Sequence, residues 1–187
     1  NKITMQLPEK YILFVGSRYS YKNFNRFIEA FSLLAQKDSK LYLICTGNKF
    51  SQGEEDKLSK LHIKNKTLQI NASDKELSEL YTRASLFVFP SLYEGFGIPI
   101  LEAYACHCPI AISNTSCFPE IAGDAAIYFD PYSVKDIANT IEAIIYNPQK
   151  ANELIQKGIK RLELYSWEKT VVETEETYKK AIQGYNF

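Results

Sequence analysis

The sequence predicts an α/β domain: a Rossmann-like, doubly wound parallel sheet of six strands, closed by a helical C-terminal tail. Three observations predict it. Short apolar runs and helix-patterned stretches alternate six times between residues 11 and 130. Runs such as Leu86-Phe87-Val88-Phe89 are continuously apolar, as strands covered on both faces require. The runs end at turn-forming residues, among them Gly16, Gly47 and Pro90.

Taken in order, residues 1–10 read as an irregular lead-in ending near Pro8. A first strand spans 11–16, and a polar loop over 17–23 enters a helix at 23–36. Phe24, Phe27, Ile28, Phe31 and Leu34 fall at helical spacing there and form its buried stripe. A strand at 41–46, a polar helix at 54–61 and a strand at 67–71 follow. The next helix, 74–84, is capped near Ser73 and turns Leu77, Leu80 and Tyr81 inward. After the strand at 86–89 comes a loop, then a helix from Ile98 to Cys106 with Pro99 in its first turn, where a missing N–H costs nothing. Strands at 109–113 and 126–130 complete the sheet, with a loop and short helix over 114–122 between them. Three helices close the chain at 134–146, 149–165 and 167–182, Pro148 breaking the first junction and Ser166 capping the last helix. Trp167, Val171, Thr174, Tyr178 and Ile182 fall along one side of that final helix.

At 187 residues the chain has the size of one domain with a substantial core. Its formal net charge is zero, so no basic field argues for nucleic acid or an anionic membrane. No apolar run approaches the roughly 18 residues of a membrane span, and no secretory signal precedes the first strand. The chain opens at Asn1 rather than at a methionine, which suggests a piece of something longer. Cys106 and Cys108 bracket His107, but the spacing is not that of a zinc site, and only His62 remains as another histidine. No metal is expected, and the four cysteines read as reduced thiols in the cytoplasm.

The stretch 90–102 carries the chemistry. A buried strand stops at Pro90, a loop holds Glu94 with Gly95 and Gly97, and a helix begins behind them with Glu102 about one turn in. Glycines admit close backbone approach, and a helix start presents free N–H groups to an anion. Two hydroxyl-binding carboxylates beside a phosphate-friendly helix start suit a nucleotide sugar, which has hydroxyls at both ends and a diphosphate between.

The run SLYEGFGIPILEA at 91–103, followed by PEIAGDAAIYFDP at 119–131, resembles the signature of the family-4 retaining glycosyltransferases of GT-B architecture, the glycosyl transferases group 1. The resemblance covers nearly the whole chain but only the C-terminal, nucleotide-sugar-binding half of such an enzyme. It implies a donor-binding domain over 1–165 and a helix over 166–187 that crosses toward an N-terminal acceptor-binding domain. The implied activity is metal-independent transfer of a sugar from a nucleotide-diphospho-sugar to an acceptor hydroxyl with retention, in bacterial surface polysaccharide synthesis, and GDP-mannose is the favoured donor.

The resemblance assigns Arg18 and Lys22 to the diphosphate, Glu94 to the transferred sugar and Glu102 to the ribose. The backbone N–H groups of Gly95, Phe96, Gly97 and Ile98 face phosphate or sugar oxygens, and the backbone around Asn71, Ala72 and Ser73 holds the base. The plainer readings are surface charges for Arg18 and Lys22 and a core aromatic for Phe96. Glu102 sits among Ile100, Leu101, Ala103 and Ala105, so as a charge it needs a partner. Glu120 matches a recurrent family glutamate and is expected to bond loop N–H groups. His107 replaces the family's glycine past a helix end, where a left-handed cap is expected.

No Asp-x-Asp motif is present to hold a metal-bridged diphosphate, and no Gly-x-Gly-x-x-Gly follows the first strand, which counts against a nicotinamide or flavin enzyme. No cofactor is expected beyond the donor itself. The alternatives are an epimerase or phosphorylase of the same architecture, or a non-catalytic nucleotide-sugar-binding module acting with a partner chain. The expected partners are the nucleotide sugar and the chain's own N-terminal domain, with any contact to the inner face of the membrane made through that domain.

Overall fold

The structure, a computed structural model, describes residues 6–184; the first five residues of the lead-in expected over 1–10 and the last three of the helix expected over 166–187 lie outside the described residues. Six parallel strands form one sheet: β1 (Lys10–Phe14), β2 (Leu41–Thr46), β3 (Thr67–Ile70), β4 (Leu86–Phe89), β5 (Ile110–Ser113) and β6 (Ile127–Phe129). Their order is β3-β2-β1-β4-β5-β6. The helices between them are α1 (Phe24–Lys37), α2 (Gln52–Lys60), α3 (Asp74–Arg83), α4 (Ile98–Ala105) and α5 (Phe118–Ala122). Three more follow the sheet: α6 (Val134–Ile145), α7 (Pro148–Leu162) and α8 (Trp167–Gly184).

Period-two alternation in the strands divides the interior into two cores. Ile12 and Phe14 of β1 face one side, with the α1 stripe and with Ile137, Ile141 and Ile144 of α6. Tyr11 and Leu13 face the other, with Leu80 and Tyr81 of α3, Tyr104 of α4 and Phe118 of α5. Both faces are covered, and that is why the strand sequences are apolar without interruption.

Element ends depart from the sequence reading by a few residues. β1 stops at Phe14, and Gly16 turns away at φ +104°, its N–H donating to Thr46 Oγ1 at 3.0 Å. Pro148 stands at the break between α6 and α7, as expected, and itself starts α7: it occupies the first turn while the Asn147 side chain accepts from Lys150 N–H at 3.0 Å. α7 then packs close against α4, where a Cβ on Gly158 would come within 2.4 Å of the Tyr104 ring. At the far end of α7, Arg161 donates to the carbonyls of Ile121 and Glu120 and so pins α5.

Ser166 caps α8, accepting from Lys169 N–H at 3.1 Å, and no residue of α8 is buried. Among the described residues no helix is long and apolar enough to cross a membrane.

Candidate functional site

β1 and β4 are neighbours in the sheet, but the helices that follow them lie on opposite faces, α1 over one core and α4 over the other. The loops leaving the two strands therefore diverge and leave a crevice at the carboxyl ends, the switch point at which open α/β sheets take ligands.

The two loops are tied across that crevice. Leu92 N–H donates to Tyr21 O at 2.7 Å, and Lys22 Nζ donates to Glu94 Oε1 at 2.7 Å. Both side chains of the ion pair are mostly buried, 13% and 16% exposed. The Lys22 ammonium also stands 5.2 Å from the centre of the Phe89 ring. Behind it, Asn23 adopts a left-handed conformation at φ 56°, and its side-chain amide donates to Pro131 O at 2.7 Å. That bond fixes the turn Ser20–Lys22 against the loop after β6.

The glutamate loop is shaped by Gly97, at φ +96°, where an added Cβ would press on Ile100 and Phe118. A Cβ on Gly95 would meet nothing within 4 Å, so the backbone there is open to a ligand. The N–H groups of Gly95, Phe96, Gly97 and Ile98 donate to no acceptor among the described residues. They lie at the start of α4, where the helix dipole adds to their attraction for an anion. Phe96 is 41% exposed and meets Tyr165 edge-on at 5.9 Å, so the core-aromatic reading is wrong for it.

Three residues after β5 prop this loop, and no motif in the sequence singles them out. Thr115 Oγ1 donates to Leu92 O at 3.1 Å, and Ser116 Oγ donates to Glu94 O at 2.7 Å while accepting from Glu94 N–H at 3.3 Å. The Cys117 thiol reaches the carbonyls of Glu94 and Phe96. Residues 115–117 thus converge on the glutamate loop through its backbone.

Glu102 has the partner its apolar surroundings demand. The hydroxyl of buried Tyr81 donates to Glu102 Oε2 at 3.0 Å. Burial, and then the Glu102 charge, push the Tyr81 pKa well above its ordinary value, so the phenol stays a donor. No other protein bond to the Glu102 side chain is recorded among the described residues, leaving Oε1 for a ligand. Asn71 and Ser73 are exposed at the start of α3, beside α4, with Ala72 packed on the core. Ser73 and Glu76 form a capping box there.

Arg18 stands apart from this group. Its Nε donates to Glu54 Oε1 at 2.7 Å, and its other nitrogens reach the carbonyls of Thr46, Asn48 and Lys49. The guanidinium lies 4.7 Å from the centre of the Phe50 ring. Burial raises the Glu54 pKa, but hydrogen bonds from Ser51 and Arg18 outweigh it and leave the carboxylate below its ordinary range. The structure thus brings Lys22 to Glu94 and holds Arg18 on the loop after β2.

Among the described residues Glu120 bonds no loop N–H group with its carboxylate. Its side chain is exposed, and its carbonyl, not its carboxylate, takes the bond from Arg161. His107 takes the left-handed conformation expected of the glycine it replaces, at φ 55°. Among the described residues no three His, Cys, Asp or Glu side chains stand together as a metal cluster.

Comparisons with known proteins agree with this geometry. The family model of glycosyl transferases group 1 matches residues 1–161. The O-antigen chain mannosyltransferase B of Escherichia coli is 32% identical over 176 residues, which are 90% of this chain and 45% of that protein. The O-antigen chain mannosyltransferase RfbU of Salmonella typhimurium is 31% identical over 137 residues, 73% of this chain and 38% of that one. The chain therefore spans less than half the length of these curated relatives. Among solved structures, the C-terminal domain of a glycosyl transferase group 1 family protein (LpcC) from Francisella tularensis superposes with a TM-score of 0.73 at 24% identity, over 84% of this chain and 87% of that one. The sucrose-phosphate synthase of Thermosynechococcus elongatus superposes with a TM-score of 0.79 at 21% identity, over 94% of this chain and 46% of that one. Both show the same Rossmann-like fold of a GT-B half.

Proposed function

From the premise that the chain belongs to the glycosyl transferases group 1, as the match over residues 1–161 establishes, we propose that it is the donor-binding half of a retaining, metal-independent glycosyltransferase. The observation that carries this reading is the Lys22–Glu94 pair at the switch point, beside four unpartnered N–H groups at the start of α4.

In this reading the diphosphate of a nucleotide sugar lies over the N–H groups of Gly95 to Ile98, with Lys22 as its cation. Glu102 accepts from the ribose hydroxyls through Oε1, and the backbone at Asn71 to Ser73 meets the base. Glu94 takes the hydroxyls of the transferred sugar. When the glycosidic C–O bond to phosphate breaks, negative charge builds on the leaving diphosphate, and fixed donors there stabilise it without reorganising. Arg18, which the resemblance also assigns to the diphosphate, is held against the loop after β2, paired with Glu54. The acceptor hydroxyl attacks the same face of the sugar that the diphosphate leaves and gives its proton to the departing diphosphate oxygen, so the anomeric configuration is kept. No metal is required, because a cation and oriented N–H groups do that work.

The names of the O-antigen mannosyltransferase relatives support mannose as the transferred sugar and a growing surface polysaccharide as acceptor, and GDP-mannose is the donor we propose. Their greater length supports an N-terminal domain that closes the acceptor side of the crevice. The enzyme then works in the cytoplasm, and membrane contact comes through that domain. The purified chain, titrated in chelator with GDP, UDP, ADP and their sugars, tests this through ligand-induced shifts in melting temperature. A clear rise with GDP and GDP-mannose is the expected result. No shift with any nucleoside diphosphate overturns the reading.

A further inference from the structure

The wall of the crevice beside Lys22 carries aromatic rings that the donor reading does not use. Tyr19 is 67% exposed, Tyr21 42% and Tyr93 69%. The three sit on the two loops that the Leu92–Tyr21 backbone bond and the Lys22–Glu94 ion pair hold together. Tyr21 lies against the pair itself, its ring centre 5.4 Å from Lys22 Nζ. Tyr19 continues outward, nearly parallel to Tyr21, with ring centres 6.3 Å apart and planes 26° from each other. Tyr93 is the residue before Glu94. Among the described residues, none of the three hydroxyls has a protein partner.

We propose that Tyr19, Tyr21 and Tyr93 form a saccharide-binding platform that holds the acceptor glycan beside Glu94. The inference rests on the glycosyltransferase reading of the same crevice and deepens it by giving this half of the enzyme a share of the acceptor site.

The chemistry selects a saccharide. A pyranose ring has a face of C–H groups and a rim of hydroxyls. The C–H face carries slight positive charge and stacks on the negative face of an aromatic ring. The rim hydroxyls need donors and acceptors, which free phenol groups and the Lys22–Glu94 pair provide. Tyrosine has two flexible side-chain torsions and so presents a ring at low entropic cost. The exposed side of α8, with Trp167, Val171, Tyr178 and Ile182, mixes aromatic and aliphatic surface as a protein partner would meet it. Tyr21 and then Tyr19 lead away from the ion pair, and Tyr93 adjoins Glu94 in the chain, so a glycan lying along Tyr19 and Tyr21 brings its end hydroxyl to the carboxylate.

The test uses the 187-residue chain saturated with GDP and a mannotriose probe, followed by saturation-transfer NMR and NMR titration. The wild-type chain is expected to bind the trisaccharide in the millimolar range. Tyr19→Ala, Tyr21→Ala and Tyr93→Ala are each expected to raise its Kd about three- to tenfold. Tyr21→Phe, which keeps the ring, stays within about twofold, and Tyr178→Ala on α8 changes nothing. GDP affinity and melting temperature, measured on every variant, show that fold and donor site are intact. Unchanged saccharide affinity in all three alanine variants, or no saccharide binding while GDP binds, overturns the platform. Failure of GDP itself to bind overturns the donor reading instead, so the two failures are distinguishable.

Discussion

The buried hydroxyl of Tyr81 donates to Glu102 Oε2 at 3.0 Å, and this one bond fixes which oxygen of the carboxylate remains for a ligand. Tyr81 comes from α3 and Glu102 from α4, so the packing of two helices aims the carboxylate. If Glu102 holds the ribose, Glu102→Ala weakens nucleoside-diphosphate binding about ten- to a hundredfold, the loss of a charge-assisted hydrogen-bond pair. Tyr81→Phe frees the carboxylate to rotate and weakens the same ligand by about three- to tenfold. A 2′,3′-dideoxynucleoside diphosphate, lacking the hydroxyls, binds wild type and Tyr81→Phe alike. Calorimetry with the two ligands checks this, and an equal loss for both would assign Tyr81 a purely structural role.

Lys22 and Arg18 are both cations after β1, but the structure gives them different consequences. Lys22→Ala leaves Glu94 without its partner and removes charge from the phosphate crevice. It is expected to weaken GDP far more than GMP, with an affinity that falls as salt rises. Arg18 is 5% exposed, paired with Glu54 and bonded to three carbonyls. Arg18→Ala therefore leaves a mostly buried carboxylate unpaired and costs about 2–4 kcal/mol of folding stability, whereas Lys22→Ala, at the open crevice, costs less. Urea unfolding of the two variants, set beside their GDP affinities, separates the roles.

His107 sits at φ 55°, a conformation that costs an L-residue on the order of 1 kcal/mol and glycine much less. His107→Gly is expected to hold stability or raise it by up to about 1 kcal/mol, the entropy of the more flexible unfolded chain taking back part of the gain. His107→Val, branched at Cβ, lowers it by more than 1 kcal/mol, roughly. Denaturant midpoints decide the order, and a valine variant as stable as the glycine one would remove strain from the account.

Most of the fold is legible in the sequence, because burial on both faces writes itself into continuous apolar strands and helical stripes. The αL cap at His107 is legible too, since a chain that must reverse after a helix needs that conformation whichever residue supplies it. What the sequence does not carry is which side chains meet. Ser116 and Cys117 support the glutamate loop through its carbonyls, and any small residue with a donor would look the same in sequence. The resemblance puts Arg18 with Lys22 on the diphosphate, yet Glu54, a helix-start glutamate on the next unit, holds it on the neighbouring loop. Glu120 is expected from the sequence to bond loop N–H groups, but the contact at that position is made by its carbonyl to Arg161, forty-one residues away. Pairings of that range depend on how α7 returns across α4, which only the packed structure shows.

The edge of the fold near α1 offers a pH signature independent of the crevice. Asp38 accepts from Lys10 Nζ at 2.8 Å, from Lys40 N–H at 2.9 Å and from the Tyr146 hydroxyl at 3.0 Å. The Lys10 bond first, then the backbone bond, bring its pKa from 3.8 down to about 2. Because the folded value lies below the unfolded one, the contribution of Asp38 is fully present above about pH 4 and is lost as pH falls through about 2. Tyr146 works at the opposite limit: burial first, then the bond to Asp38, push it from 10.0 up to about 12. The unfolded chain releases that proton first, so stability falls as pH rises from about 10 toward about 12. Asp38→Asn should therefore destabilise the protein at pH 5 and differ progressively less from wild type as pH is lowered toward about 3, while Tyr146→Phe should flatten part of the alkaline decline. Melting temperatures of the three proteins across pH measure both limbs. A gap between wild type and Asp38→Asn that stays constant from pH 5 down to about 3 would mean that Asp38 is not held as an ionised partner of Lys10.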